Sequence, residues 1–312
     1  MELQAVHVTW DYRVAIDLFL GGVGVGVFLL AAYLYYVSKD RFWRVIKLGF
    51  TIAPFLVGLG VFALMTELGK PFRMFSTYIN FNPTSITSWG GYIQTIFILL
   101  GFVIVYFIYK KDQRVVNTSQ FKIVLATCSI FAIGVGVYHG LLLASLGRPL
   151  WMNGLIPIMF LVSSLLAGGS LVLGLTAITT KLSLKSKIAS QTFVEMSSST
   201  EETSDVNFSL IITSMILLEI ALLIVWRVTL DSTGLDVKEA YTNMVKEYGS
   251  YWWSLAIGIG LIFPLLISFY YTIKKRVITT LPAVLITISL LVGSYTFKHI
   301  ILYAGQMNIP IL

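Results

Sequence analysis

Acids, histidines, a lysine and a tyrosine interrupt segments that are otherwise almost wholly apolar, and they gather toward one end of those segments. Asp17 lies just inside the first run and Glu67 ends the second; Tyr138 and His139 lie near the end of the fourth, Lys298 and His299 near the end of the last. A charge at bilayer depth costs roughly 2.5–3.5 kcal/mol on insertion scales. Several such groups at one depth describe a ligand pocket near one membrane face, although each residue singly also fits snorkelling or helix-end anchoring. The chemistry they suit is proton-coupled. A phenol and an imidazole hydrogen-bond carbonyl oxygens, and a carboxylate relays protons. A quinone headgroup presents such oxygens and exchanges protons as it is reduced or oxidised, and apolar helix walls suit its isoprenoid tail. Glu219, nearer mid-segment, reads equally as a proton-path residue or as a buried neutral acid.

Composition sets the class. Of 312 residues, 57% are hydrophobic and 12% charged, and the mean hydropathy is +0.84. Those values are those of a polytopic membrane protein. The net charge of +7 is divided between two sets of loops and does not imply nucleic acid. The lone cysteine, Cys128, excludes an internal disulfide and a Cys-ligated cluster, and its apolar surroundings read as packing. His7, His139 and His299 are too few for two bis-His haems, and no spacing suggests one, so no haem or metal is expected in this chain. The first apolar run is preceded by Glu2, Asp11 and Arg13, unlike the basic start of a cleaved signal.

About eight stretches reach the roughly 20 residues needed to span a bilayer: 14–37, 48–66, 90–109, 121–143, 155–178, 207–226, 251–273 and 277–302. They predict an all-α integral membrane protein, since runs such as Ile96–Gly101 lack the alternation of a barrel strand. Fourteen of the 22 basic residues fall in one set of loops and eight in the other; the richer side is predicted to be cytoplasmic, with both termini on the outer, periplasmic side. Six tryptophans (Trp10, Trp89, Trp151, Trp226, Trp252, Trp253) fall near outer helix ends, as in an aromatic belt. A Ser/Thr/Glu-rich stretch suggests a flexible cytoplasmic linker at 181–206, between a five-helix half at 1–180 and a three-helix half at 207–312.

Two outer loops are alike: Glu67-Leu68-Gly69-Lys70-Pro71-Phe72 and Ser145-Leu146-Gly147-Arg148-Pro149-Leu150, offset by 78 residues. Gly at a C-cap, a cation on the helix dipole and a following Pro explain each copy; their matched positions suggest a duplicated helix pair. Gly21-Gly22-Val23-Gly24-Val25-Gly26 has no nucleotide-loop spacing and lies in a helix, where small residues admit a neighbouring helix or a flat ligand. In Asn80–Gly90, Asn82-Pro83 starts a turn and hydroxyls follow as N-caps. The mixed segment 231–249, with Leu235, Val237, Met244 and Val245, predicts a short amphipathic helix.

These residues together resemble the NrfD/PsrC family, the integral membrane subunits of polysulfide-reductase-like complexes. The resemblance covers most of the chain. It is carried by Ala15-Ile16-Asp17-Leu18-Phe19-Leu20-Gly21-Gly22, by Glu67-Leu68-Gly69-Lys70-Pro71, and by Phe81-Asn82-Pro83-Thr84-Ser85 with Ser88-Trp89-Gly90. Tyr138-His139-Gly140, Ser145–Trp151 and Ala304-Gly305-Gln306 complete it. The chain departs from the family at Glu67 and Lys70, where Asp and Arg are common, at Ile86-Thr87 for Pro-Met, and at His139 for Thr.

The resemblance implies an eight-helix anchor in the cell (inner) membrane, binding menaquinone or a related quinone as substrate near the outer face. It implies a ferredoxin-like multi-cluster iron–sulfur subunit and a molybdopterin catalytic subunit as partners, so that redox centres reside there and the terminal substrate is not written in this chain. Tyr138, His139 and Asp17 are the candidate quinone-binding residues, and Asp17, Glu67 and Glu219 the candidate proton-transfer residues. Arg73, Arg148, Trp89 and Asn82 are read as partner-contacting or structural. A secondary transporter with a duplicated helix pair is the alternative from another class.

Overall fold

The computed structural model describes residues 10–67, 78–110, 116–190 and 207–307. Within these the chain is all helix: α1 (Tyr12–Glu67), α2 (Ile86–Tyr109), α3 (Ser119–Ala144), α4 (Leu155–Ser190), α5 (Phe208–Thr233), α6 (Leu235–Tyr251), a π-helix (Trp252–Ile262), α7 (Phe263–Ile273) and α8 (Thr280–Ala304). Seven continuous helical runs are long and apolar enough to cross a bilayer, the π-helix joining α6 and α7 into one of 39 residues. Among the described residues there is no strand.

The first run contains 56 residues, about 84 Å at roughly 1.5 Å per residue, nearly three times the roughly 30 Å hydrocarbon core. It is bent double. Ser38 leaves helical geometry at φ −148° and ψ 52°. The limbs then run back along each other: a side chain on Gly24 would meet the Ala53 carbonyl, one on Gly49 the Ala31 methyl, and one on Gly60 the Asp17 carboxylate. The two segments expected at 14–37 and 48–66 are therefore the limbs of one hairpin.

Several boundaries follow from side-chain caps. Ser85 accepts from the Ser88 amide at 3.4 Å, Thr118 from Phe121 at 3.3 Å and Asn207 from Leu210 at 3.1 Å, each satisfying an amide that the first turn leaves free. Gly147 takes the left-handed conformation, φ 66°, so the Leu-Gly-Arg-Pro sequence turns the chain after α3. The matching first loop, with Lys70 and Arg73, lies outside the described residues. Helix α4 runs on to Ser190, into the segment read as a linker from 181; its remainder, 191–206, also lies outside them.

The α1 hairpin packs on α2, α3, α4 and α8; α8 also packs on α4 and on the π-helix, and α5 packs on α4 and α7. Phe28, Phe50, Phe97, Phe121 and Cys128 belong to one core cluster. Trp151, Phe160, Trp226, Trp252 and Phe297 belong to another. This corrects the belt reading for three tryptophans: Trp151, Trp226 and Trp252 are 0%, 1% and 3% exposed, packed between helices. Trp151 donates to the Ile301 carbonyl at 2.7 Å and stacks on Trp10. The segment expected to be amphipathic is α6, which buries Val237, Ala240 and Met244 and leaves Leu235 exposed.

Candidate functional site

Asp17 on the first limb of α1 and His139 on α3 are both fully enclosed. Their nearest atoms, Asp17 Oδ2 and His139 Nε2, are 4.0 Å apart. The Gln94 side-chain nitrogen, from α2, faces the same His139 nitrogen at 3.3 Å. Glycine makes the meeting sterically feasible: a side chain on Gly21 would strike the His139 ring, and one on Gly60 the Asp17 carboxylate. Both Asp17 carboxyl oxygens and His139 Nδ1 are buried without a hydrogen-bond partner. Native interiors rarely leave such atoms unserved, so an orphaned set beside one another calls for a water, a ligand or a role to account for it.

Tyr138 flanks this group. Its ring lies against Gly90, so closely that a Cβ there would fall on the ring atoms, which gives the glycine of Ser88-Trp89-Gly90 a physical reason. The phenol is within electrostatic reach of Asp17 and of Tyr78, and Tyr78 is itself held by Thr95 at 2.7 Å. Thus Asp17, Tyr138 and His139, expected together, do converge.

The other expected residues lie elsewhere. Glu67 is half-buried at the last turn of α1, beside Arg13, which donates to the Thr66 carbonyl at 2.5 Å and pairs with Asp11 at 2.7 Å. The Arg13 hydrogen bond holds the Asp11 carboxyl below its ordinary range. Arg148 donates to the Gln306 and Gly305 carbonyls at 3.1 and 3.4 Å and lies over the Trp151 ring. It therefore ties the second loop to the end of α8. Asn82 accepts from the Thr84 amide and hydroxyl, and Trp89 donates to the Pro83 carbonyl at 2.9 Å; both shape an exposed turn. Arg73 lies outside the described residues.

Glu219 on α5 is 4% exposed and forms a second centre. Ser163 of α4 stands beside its carboxyl and lies 3.0 Å from the Ser294 hydroxyl of α8. Between these groups and the π-helix is a cavity lined by Glu219, Ser163, Ser294, Trp252 and Gly260. Its space for water centres, about 20 Å³, exceeds the roughly 10–15 Å³ that one water requires.

Four participants have no individual role in the sequence analysis, although Lys298 is grouped there with the polar residues by depth. Lys298 is fully buried and donates to the Leu18 carbonyl at 2.9 Å and to Ser164 Oγ at 3.0 Å. Its signal was present as a cation inside an apolar run. Gln94, an amide in the apolar run of α2, and the Ser163-Ser164 pair gave weaker signals. His299, adjacent to Lys298, faces away, stacked between Tyr295 and Tyr303. Among the described residues no group of three or more His, Cys, Asp or Glu is arranged to hold a metal.

The sequence matches the family described as "Polysulphide reductase, NrfD" over residues 3–310. The chain belongs to the NrfD family. It is 28% identical over 188 residues to the C polypeptide of the polysulfide reductase of Wolinella succinogenes, covering 54% of this chain and 59% of that one. It is 27% identical over 211 residues to the C polypeptide of the selenate reductase of Mesobacillus selenatarsenatis, covering 55% and 49%. Those matches span about half of each relative. With the protein NrfD of Escherichia coli the identity is 24%, over 99% of both chains. Membership and seven apolar helical runs make this NrfD-family chain a multi-pass cell-membrane protein.

Proposed function

We propose that this chain is the membrane subunit through which a respiratory oxidoreductase exchanges electrons with the quinone pool. Its apolar segments form eight spans, counting the α1 hairpin as two, with both termini on the outer side. The observation that carries the reading is the buried Asp17 carboxyl, without a hydrogen-bond partner, 4.0 Å from His139 Nε2, with the Tyr138 ring 5.8 Å from the imidazole. A quinone supplies the redox chemistry and needs protons at its oxygens. Tyr138 and His139 suit hydrogen bonding to those oxygens, and Asp17 suits proton transfer. Glu67, at the helix end, is the proposed exchange point with solvent, and Glu219 a proton-path residue. The named relatives are components of polysulfide and selenate reductases, which supports partner subunits: a multi-cluster iron–sulfur protein and a molybdopterin catalytic subunit. Asn82, Trp89, Arg73 and the face of α6 are the proposed docking side.

The test separates a quinone site from a folding role. Tyr138→Phe keeps the ring and removes the hydroxyl. A lost hydrogen bond of about 1–3 kcal/mol corresponds to a roughly 5- to 150-fold loss of quinone-linked turnover. Asp17→Asn is expected to change the pH profile of that turnover as well. Electron transfer from an artificial dye directly into the partner subunits should be unaffected. Normal quinone-linked activity in both variants, at normal assembly, would place the site elsewhere.

A further inference from the structure

Among the described residues Lys298 is the fully buried cation, and its environment is unusual. It donates to one carbonyl and one hydroxyl, although an ammonium has three donors. Among the described residues it forms no direct ion pair. Two enclosed acids of the bundle, Asp17 and Glu219, lie near its two contacts. One contact, Leu18, is next in the chain to Asp17 on α1; the other, Ser164, is next to the Ser163 that lines a cavity with Glu219 of α5.

The other groups facing this set are neutral. The Gln94 nitrogen faces His139 Nε2, which then accepts, so the imidazole carries its single proton on Nδ1. Tyr138 contributes a phenol, and α4 contributes only the Ser163 and Ser164 hydroxyls. The charge count is thus one ammonium against two carboxyls. With both acids ionised, a net negative charge would be enclosed at bilayer depth, which burial disfavours; with one protonated, the set is neutral. The Glu219 end has its own access to a proton. Its Oε2 has no partner, and its carboxyl borders the cavity between α4, α8 and the π-helix.

We propose that Lys298 is a positioning residue that makes Asp17 and Glu219 hold one exchangeable proton between them, with Glu219 a proton-binding site served by water in its cavity. A proton taken up by the Glu219 carboxylate is balanced by one released from the Asp17 carboxylic acid, so the two acids keep a joint charge of minus one against the ammonium. The inference rests on the charge count and geometry, and holds whether or not a quinone docks beside Tyr138.

Infrared spectroscopy of the full-length protein in its complex, comparing water with deuterium oxide, reads protonated carboxyl groups directly. One deuterium-sensitive carboxylic band is expected from this set. Lys298→Met should raise its intensity about twofold, because both acids then become neutral. Glu219→Gln and Asp17→Asn should each abolish it, because the remaining acid then balances Lys298. A purely structural lysine would leave these intensities unchanged, and that result would overturn the proposal, as would a band that persists in both acid variants. If Lys298→Met fails to accumulate, the double variant with Glu219→Gln is expected to accumulate and to show one band from Asp17. Failure of the double variant to accumulate, or its lacking the band, would also overturn it.

Discussion

The surroundings of the two buried acids differ in how closely the helices approach. Around Asp17 they meet backbone to backbone. A side chain on Gly26 would strike the Ser164 carbonyl and Gly168, and one on Gly22 the Lys298 ammonium and Ser164 hydroxyl. Around Glu219 the packing leaves a gap. The π-helix has wider turns than an α-helix and shifts the register of the following residues, and although Gly260 touches Gly293, a cavity remains beside the carboxyl. Each acid is enclosed, but the first is held in a packed polar junction and the second beside room for water. The lesson is that residue type alone does not set an acid's access to protons; the separation of the helices around it does.

The contrast is broken most severely by closing the tight region further. Gly26→Val places a branched side chain against the backbone of α4, and neither side can yield. Overpacking commonly costs about 1–3 kcal/mol where side chains can move, and a backbone clash should exceed that; the expected outcome is loss of membrane-assembled protein, read by detergent-extracted yield and by partner co-purification. Normal assembly would show that the α1–α4 contact is looser than described.

A smaller effect is expected in the roomy region. Ser163→Ala removes the hydrogen bond to Ser294 beside Glu219. Stability should fall by about 0.5–1.5 kcal/mol, within a cavity where water can replace the hydroxyl. The thermal midpoint of the complex checks this. A collapse comparable to that of Gly26→Val would erase the distinction between the two regions.

The smallest effect concerns the N-terminal end of the tight region, where Asp11 pairs with Arg13. The carboxyl has its pKa lowered, so the pair's contribution is present above the ordinary carboxylate range and is lost as pH falls through the lowered value. The side chain is 35% exposed, so screening keeps this contribution small. Asp11→Asn should slightly flatten the acid limb of stability against pH and leave the neutral plateau nearly unchanged; a large drop on the plateau would mean that Asp11 supports more than the Arg13 contact.

The sequence by itself determined that this is an all-helical membrane protein, because runs of about 20 apolar residues can satisfy their backbone in lipid only as helices. It also placed a hydroxyl N-cap within Asn80–Gly90 and a glycine turn at Gly147, and it placed Asp17, Tyr138 and His139 at a common end, since depth can be counted along a helix from its boundary. Rotation about the helix axis is what it did not determine. These helices are apolar on nearly every face, so periodicity carries little information about which side meets which neighbour. Hence Lys298 and His299 appeared equivalent, whereas the fold turns the first into the bundle and the second into an aromatic stack. The bond from Lys298 to Leu18 joins residues 280 positions apart, and Gln94 reaches His139 from another helix. Only the tertiary structure decided those meetings, because the glycine contacts fix how near the helices come and the π-helix fixes their phase around Glu219.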